Sequence, residues 1–185
     1  SGGVPFKGKM DDVRVYNRSL NTNEISQLYS SGASNKQNSA SVITATTTCS
    51  VGLSCGLITY WSFDGKDIVN GVVRDNSGNG LFANMGNIAS STFYTTGVKG
   101  QALRFTSNSD YLYSDLGAER STFTISLWYT PKLINSWNGN QTGFHMGRTS
   151  FTGCCNFRWY STGGSPKIQA SSNNGTGNLS STYNS

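Results

Sequence analysis

The sequence predicts an all-β sandwich with one short capped helix near its N-terminus. Three observations carry this. The 185 residues include 22 Gly, with 12% aromatic and only 12% charged residues, a composition of short strands joined by tight turns. Apolar and aromatic segments recur between clusters of Ser, Asn, Asp and Gly. One stretch alone combines helical spacing with a cap. The length suits one good core, or one domain with part of another.

Phe6 to Asn17, FKGKMDDVRVYN, alternates around Val13 and Val15 as a half-buried strand does. Asn21 then stands three residues before Glu24. In that arrangement the Asn side chain caps free amides while the Glu reaches back to the cap's own amide. Ile25, Leu28 and Tyr29 follow at helical spacing, and Gly32 is placed to end the helix. Residues 1–32 therefore read as a strand followed by a short helix.

From Ala33 the chain becomes small and polar, ASNKQNSASVITATTT, and residues 33–55 read as a linker. Its Ser, Thr and β-branched residues also suit an extended course along a neighbouring surface. Leu57 to Phe63 is apolar enough for a buried strand. Ile68, Val69, Val72 and Val73 suggest a short buried excursion, and Asp75 to Gly80, DNSGNG, is dense in turn residues. Gln101 to Phe105, Asp110 to Tyr113 and Thr122 to Tyr129 are three further strands, with Phe157 to Tyr160 and Lys167 to Ala170 as two more. After Ser171 the chain shows no core pattern and reads as a polar loop.

Net charge is +5, but the 14 basic residues are scattered, which argues against a nucleic-acid partner. No apolar run approaches the roughly 18 residues of a spanning helix; an export signal or anchor is expected outside these residues. Cys49, Cys55, Cys154 and Cys155 lack zinc-site spacing and are disulfide candidates, implying an oxidising, extracellular setting. Cys49 with Cys55 closes a short loop. That pairing leaves the vicinal Cys154 and Cys155 reduced or strained.

Asp64, Asp75 and Asn79, with carbonyls of the glycine-rich turn, are candidates to hold a structural calcium ion. The same residues also form turns by bonding their own backbone. Of Asp11 and Asp12, one reads as a solvated strand-edge carboxylate and one as paired with Arg14 or Arg18. Trp137 lies in a polar loop, INSWNGNQTG. There it can stack on a sugar ring while Asn138, Asn140 and Gln141 bond its hydroxyls, or it can fold back onto the sandwich. Trp61, Trp128 and Trp159 lie in strands and read as core.

Catalysis finds little support. Glycoside hydrolysis needs two facing carboxylates, yet Glu24 is explained by its cap and Glu119 has no nearby acidic partner. His145 is the only histidine, and it sits between strands as a structural residue would. Asn17, Asn140, Asn174 and Asn178 each begin an Asn-x-Ser/Thr sequon, which matters only in a glycosylating host.

In YWSFDG, DNSGNG, KGQALRFTSNSDYLY and FTISLWYTP, in that order, the chain resembles the bacterial laminin G-like family of concanavalin A-like jelly-roll sandwiches, in its tandem-repeat form. The family's closing segment is similar to FKGKMDDVRVYNRSLNTNEISQLY, which here comes first. The resemblance implies that residues 1–32 close one repeat and that 56–185 are the opening two-thirds of the next. It also leaves room for residues 1–32 to dock onto 56–185, within one chain or between neighbours. A linker of about 20 residues spans up to roughly 70 Å and permits either. The resemblance adds Asp12 to the calcium candidates. The implied function is a non-catalytic extracellular surface module for adhesion or carbohydrate binding. The alternative is a structural subunit of a filament, sheath or stalk that self-associates through linked or strand-exchanged sandwiches.

Overall fold

A computed structural model describes residues 4–33, 52–88, 94–107, 109–117 and 122–131, together with the strand backbone of 140–146, 155–162, 165–172 and 178–182. Their order is β1 (Val4–Pro5), β2 (Gly8–Tyr16), α1 (Thr22–Ala33), β3 (Leu57–Trp61), a 3-10 turn (Gly65–Asp67), β4 (Ile68–Val69), β5 (Val72–Val73) and β6 (Ala83–Gly86). Then come β7 (Tyr94–Thr96), β8 (Gln101–Phe105), β9 (Tyr111–Tyr113), β10 (Thr124–Pro131), β11 (Asn140–Met146), β12 (Cys155–Thr162), β13 (Ser165–Ser172) and β14 (Asn178–Thr182). The chain is all-β, with α1 as the one α-helix among the described residues. β1 pairs with β11 in parallel, whereas the ladders β11–β12, β12–β13, β13–β14, β2–β3, β2–β8, β7–β8, β4–β5, β5–β6 and β6–β9 are antiparallel.

The chain forms two compact units. One, comprising Ser1–Lys7, Thr106–Ser109 and Pro131–Ser185, holds the sheet β1-β11-β12-β13-β14. Here the expectation of a polar loop after Ser171 is corrected. Asn178 to Thr182 pair with β13, Leu179 opposite Ala170, because backbone pairing supplies the order that the side-chain pattern lacks.

The other unit, Gly8–Phe105 with Asp110–Thr130, holds two sheets: β10-β2-β8-β7 with β3 also paired to β2, and β4-β5-β6-β9. Its core includes Val13, Val15, Tyr16, Phe63, Val73, Ala83 and Leu103, all within 1% of complete burial. The strand β2 thus lies in one sheet with strands from Leu57 onward. Every residue of β2 except Lys9 is buried. The half-buried strand expected from the alternation of Val13 and Val15 is corrected to one covered on both faces.

β2 also changes partner along its length. Gly8 to Met10 pair with β8, whereas Val13 to Tyr16 pair with β3. The exchange falls across Asp11 and Asp12, and Asp12 adopts a left-handed φ of 55°, the kind of local irregularity that bends a strand and redirects its pairing.

At α1 the expected cap is present in full. Glu24 N donates to Asn21 Oδ1 and Asn21 N to Glu24 Oε2, each at 3.0 Å. Arg18 grips the same carboxylate with two bonds, at 2.8 and 2.7 Å, and holds the Glu24 carboxyl down at about 2. Its remaining donors reach the carbonyls of Gly52 and Cys55, tying the helix entry to the turn before β3. Gly32 does not end the helix as expected. It lies within α1 and is buried, where an added Cβ would collide with the Trp128 indole.

Candidate functional site

Asp11 and Asp12 point to different surroundings, as neighbours on a strand do. Asp12 Oδ1 accepts the Tyr60 hydroxyl at 2.5 Å, and its Oδ2 is 3.0 Å from Arg14 Nη2. Arg14 in turn lies over the Tyr60 ring, 4.1 Å from its centroid. Burial, with the negative charge of Asp12, pushes the Tyr60 hydroxyl above its ordinary range. The expected pairing of one carboxylate with Arg14 is therefore found at Asp12.

Asp11 is not the solvated carboxylate expected; it is 2% exposed. Its Oδ2 accepts the amides of Val98 and Lys99 at 2.8 and 3.0 Å, while Oδ1 has no hydrogen-bond partner. Burial raises its carboxyl to about 6, despite those two amides. A Cβ on Gly97 would strike the same carboxylate, so glycine there lets the β7–β8 turn close over it. Asp11 lines an open cleft of about 130 Å³ with Lys9, Thr96, Trp128, Tyr129 and Thr130.

The calcium candidates are dispersed among protein partners. Asp75 accepts Tyr60 N, Ser77 N, Ser77 Oγ and Leu81 N. Burial alone would raise its carboxyl, but these donors outweigh it and hold the group below its ordinary value. Asn79 Nδ2 donates to the carbonyls of Leu57 and Ile58, and Asp64 Oδ1 accepts Gln101 N. Asp12 carries Arg14. These are the occupations of turn-formers and a strand ion pair; they do not fit a cation that requires several free oxygens. Among the described residues no three acidic, His or Cys side chains gather as a metal group.

A different surface was missed at the sequence level. β4 and β5 form a two-residue hairpin through Asn70 and Gly71, both with positive φ, the geometry that suits the strand twist. Ile68 and Val73 face inward, but Val69 and Val72 face solvent at 63% and 36% exposure, so only half of the expected buried excursion is buried. The outward row continues by register from Val69 to Val72, Asn84 and Tyr113, with Tyr111 opposite Gly86 beside it. Tyr111 and Tyr113 are more than half exposed, their ring centroids 6.0 Å apart at 35°. The Tyr111 ring lies where a Cβ of Gly86 would be. The signal for this platform was in YLY, whose two tyrosines share a face at strand period.

Trp61 is core as expected, its Nε1 donating to Leu81 O at 2.9 Å. Trp128 is instead half-buried, 5.6 Å from the Tyr29 ring. Trp137, Asn138, Cys49 and Cys154 lie outside the described residues, as do the side chains of Asn140, Gln141 and Cys155. Cys55 is buried. No helix among those residues is long and apolar enough to cross a membrane. The chain matches no family model, no curated protein and no solved structure.

Proposed function

We propose that the chain is a non-catalytic, extracellular surface module of the laminin G-like, jelly-roll type, working in adhesion or carbohydrate binding. The observation that supports this best is the Tyr111–Tyr113 pair on the open face of β4-β5-β6-β9. Two exposed aromatic rings on a rigid sheet, with the Asn84 amide in the same row, offer stacking surface and hydrogen bonds together. Sugars are held by this combination. The outward row carries no charged side chain, which suits a neutral glycan.

A glycan array followed by affinity measurement on the best ligand tests the reading. Replacing both tyrosines with Ala is expected to weaken binding at least tenfold while leaving the fold intact, since both side chains are exposed. An array without signal, or undiminished binding by the double variant, would overturn it. Loss on Trp137→Ala instead would move the site to the loop around that residue.

A structural subunit built by strand exchange is the second reading, favoured by the place of β2. A segment that precedes a linker here supplies a strand paired to β3 and β8, and a neighbouring copy can supply the same strand. Regular assemblies under the electron microscope, with no glycan signal, would decide for it.

A further inference from the structure

An Asn or Asp side chain followed by glycine is prone to ring closure onto the main chain, because glycine has no Cβ to shield its own amide nitrogen. The described residues hold three such pairs, Asp64–Gly65, Asn70–Gly71 and Asn79–Gly80, with Asn76–Ser77 the next most open. The pairs Asn138–Gly139 and Asn174–Gly175 lie outside the described residues. Sequence places all of these together, and hydrogen bonding separates them.

Gly65 N donates to Gln101 Oε1 at 2.8 Å, and Asp64 Oδ1 accepts Gln101 N at 2.8 Å. Asn76 Nδ2 donates to Asp67 Oδ2 at 2.9 Å. Asn79 Nδ2 donates to the carbonyls of Leu57 and Ile58, each at 2.9 Å. These bonds must break before the ring can close. The tip of the β4–β5 hairpin imposes no such requirement: among the described residues neither the Asn70 carboxamide nor the Gly71 amide has a hydrogen-bond partner. Asn70 is exposed, and the space beside Gly71 is open. Both residues hold left-handed φ, 52° and 77°, and strands of only two residues each let this turn open locally.

We propose that Asn70 is a site of spontaneous covalent modification, at which the chain converts its own asparagine to aspartate and isoaspartate. The Gly71 amide nitrogen, having lost its proton to base, attacks Asn70 Cγ. The new C–N bond closes a succinimide ring as the Cγ–Nδ2 bond breaks, and Nδ2 leaves as ammonia with a proton from water. Water then opens the ring at either carbonyl, giving an aspartyl residue or an isoaspartyl residue with one more methylene in the main chain. No oxidant or cofactor takes part. Either product lowers the net charge of +5 by one unit. The isoaspartyl product also lengthens the main chain next to Gly71, whose carbonyl accepts Met85 N at 2.8 Å, and so loosens the hairpin from β6. Val69 and Val72 of this hairpin belong to the outward row, but the modification does not rest on the glycan reading.

The test incubates the whole folded chain at mildly alkaline pH beside a sample unfolded in denaturant, and maps both by proteolysis and mass spectrometry. In the folded chain Asn70 is expected to convert about tenfold or more faster than Asn79, whose two hydrogen bonds must first be broken. In the unfolded sample the two are expected to convert at similar rates. Enzymatic methylation specific for isoaspartyl groups is expected to label the fragment that contains position 70. The Met85 amide of the converted chain is expected to exchange its hydrogen faster. Asn70→Gly, which suits the left-handed turn, is expected to keep that amide protected through the same incubation. Conversion of Asn79 as fast as Asn70 in the folded chain would overturn the proposal. So would an Asn70 that stays intact there while the unfolded sample converts. Equal loosening of Met85 in Asn70→Gly would overturn the link between conversion and the hairpin.

Discussion

Tyr60 donates its phenolic hydrogen to Asp12 at 2.5 Å, joining β3 to β2 at the position where β2 changes partner. The bond is to a buried carboxylate and so belongs to the stronger class. Tyr60→Phe keeps the ring beneath Arg14 and removes only this bond. It is expected to cost about 1.5–3 kcal/mol in chemical denaturation; a loss below about 0.5 kcal/mol would show that Arg14 alone satisfies Asp12.

The other carboxylate governs pH dependence. Asp11 is raised to about 6 from an ordinary 3.8, so the folded state prefers its protonated form. Its contribution to stability is fully present below about pH 3.8 and is lost as pH rises through about 6, on the order of 3 kcal/mol in all. Asp11→Asn removes this slope. The stability of the wild type relative to Asp11→Asn is therefore expected to fall between about pH 4 and pH 7.5 in urea titrations. A difference that stays constant would refute the assignment.

At Gly32 two effects oppose each other. Inside an exposed helix, Gly→Ala gains about 1 kcal/mol, but here the new methyl group meets the Trp128 indole, and overpacking costs about 1–3 kcal/mol. Gly32→Ala is expected to lower the melting temperature. A rise would show that the indole moves aside freely.

The occupation of Asp75, Asn79, Asp64 and Asp12 by protein partners gives an expectation for metal removal. A chelator is expected to leave the melting temperature unchanged, since these side chains are already engaged by the protein's own groups. A fall of several degrees would reveal a cation held by other groups.

The helix cap was legible because it is local: Asn21 and Glu24 lie three residues apart, and no distant group is needed to complete it. The strands at Leu57–Trp61, Gln101–Phe105, Tyr111–Tyr113 and Thr124–Pro131 were legible for a similar reason, since apolar runs and turn residues alternate there, whereas β6 and β7 went unread because they carry no such run. The burial of Asp11 was not, because it depends on the amides of Val98 and Lys99, far along the chain. Gly32 was misread because a helix-ending glycine and one admitting a neighbouring indole look alike in sequence. In the tyrosine platform the spacing was visible, but its exposure depended on which side of β4-β5-β6-β9 met the core. β14 escaped because an Asn- and Ser-rich segment carries no apolar pattern, and only its ladder to β13 orders it.

The pairing of Gly8 with Phe105 has a consequence for how the protein is made. β2 leaves the ribosome well before β8, since Phe105 follows its partner Gly8 by almost a hundred residues. Until then a strand of buried side chains has only the later-arriving β3 for company. Contacts so far apart in sequence slow folding, so the completion of this sheet waits on synthesis rather than on any local step.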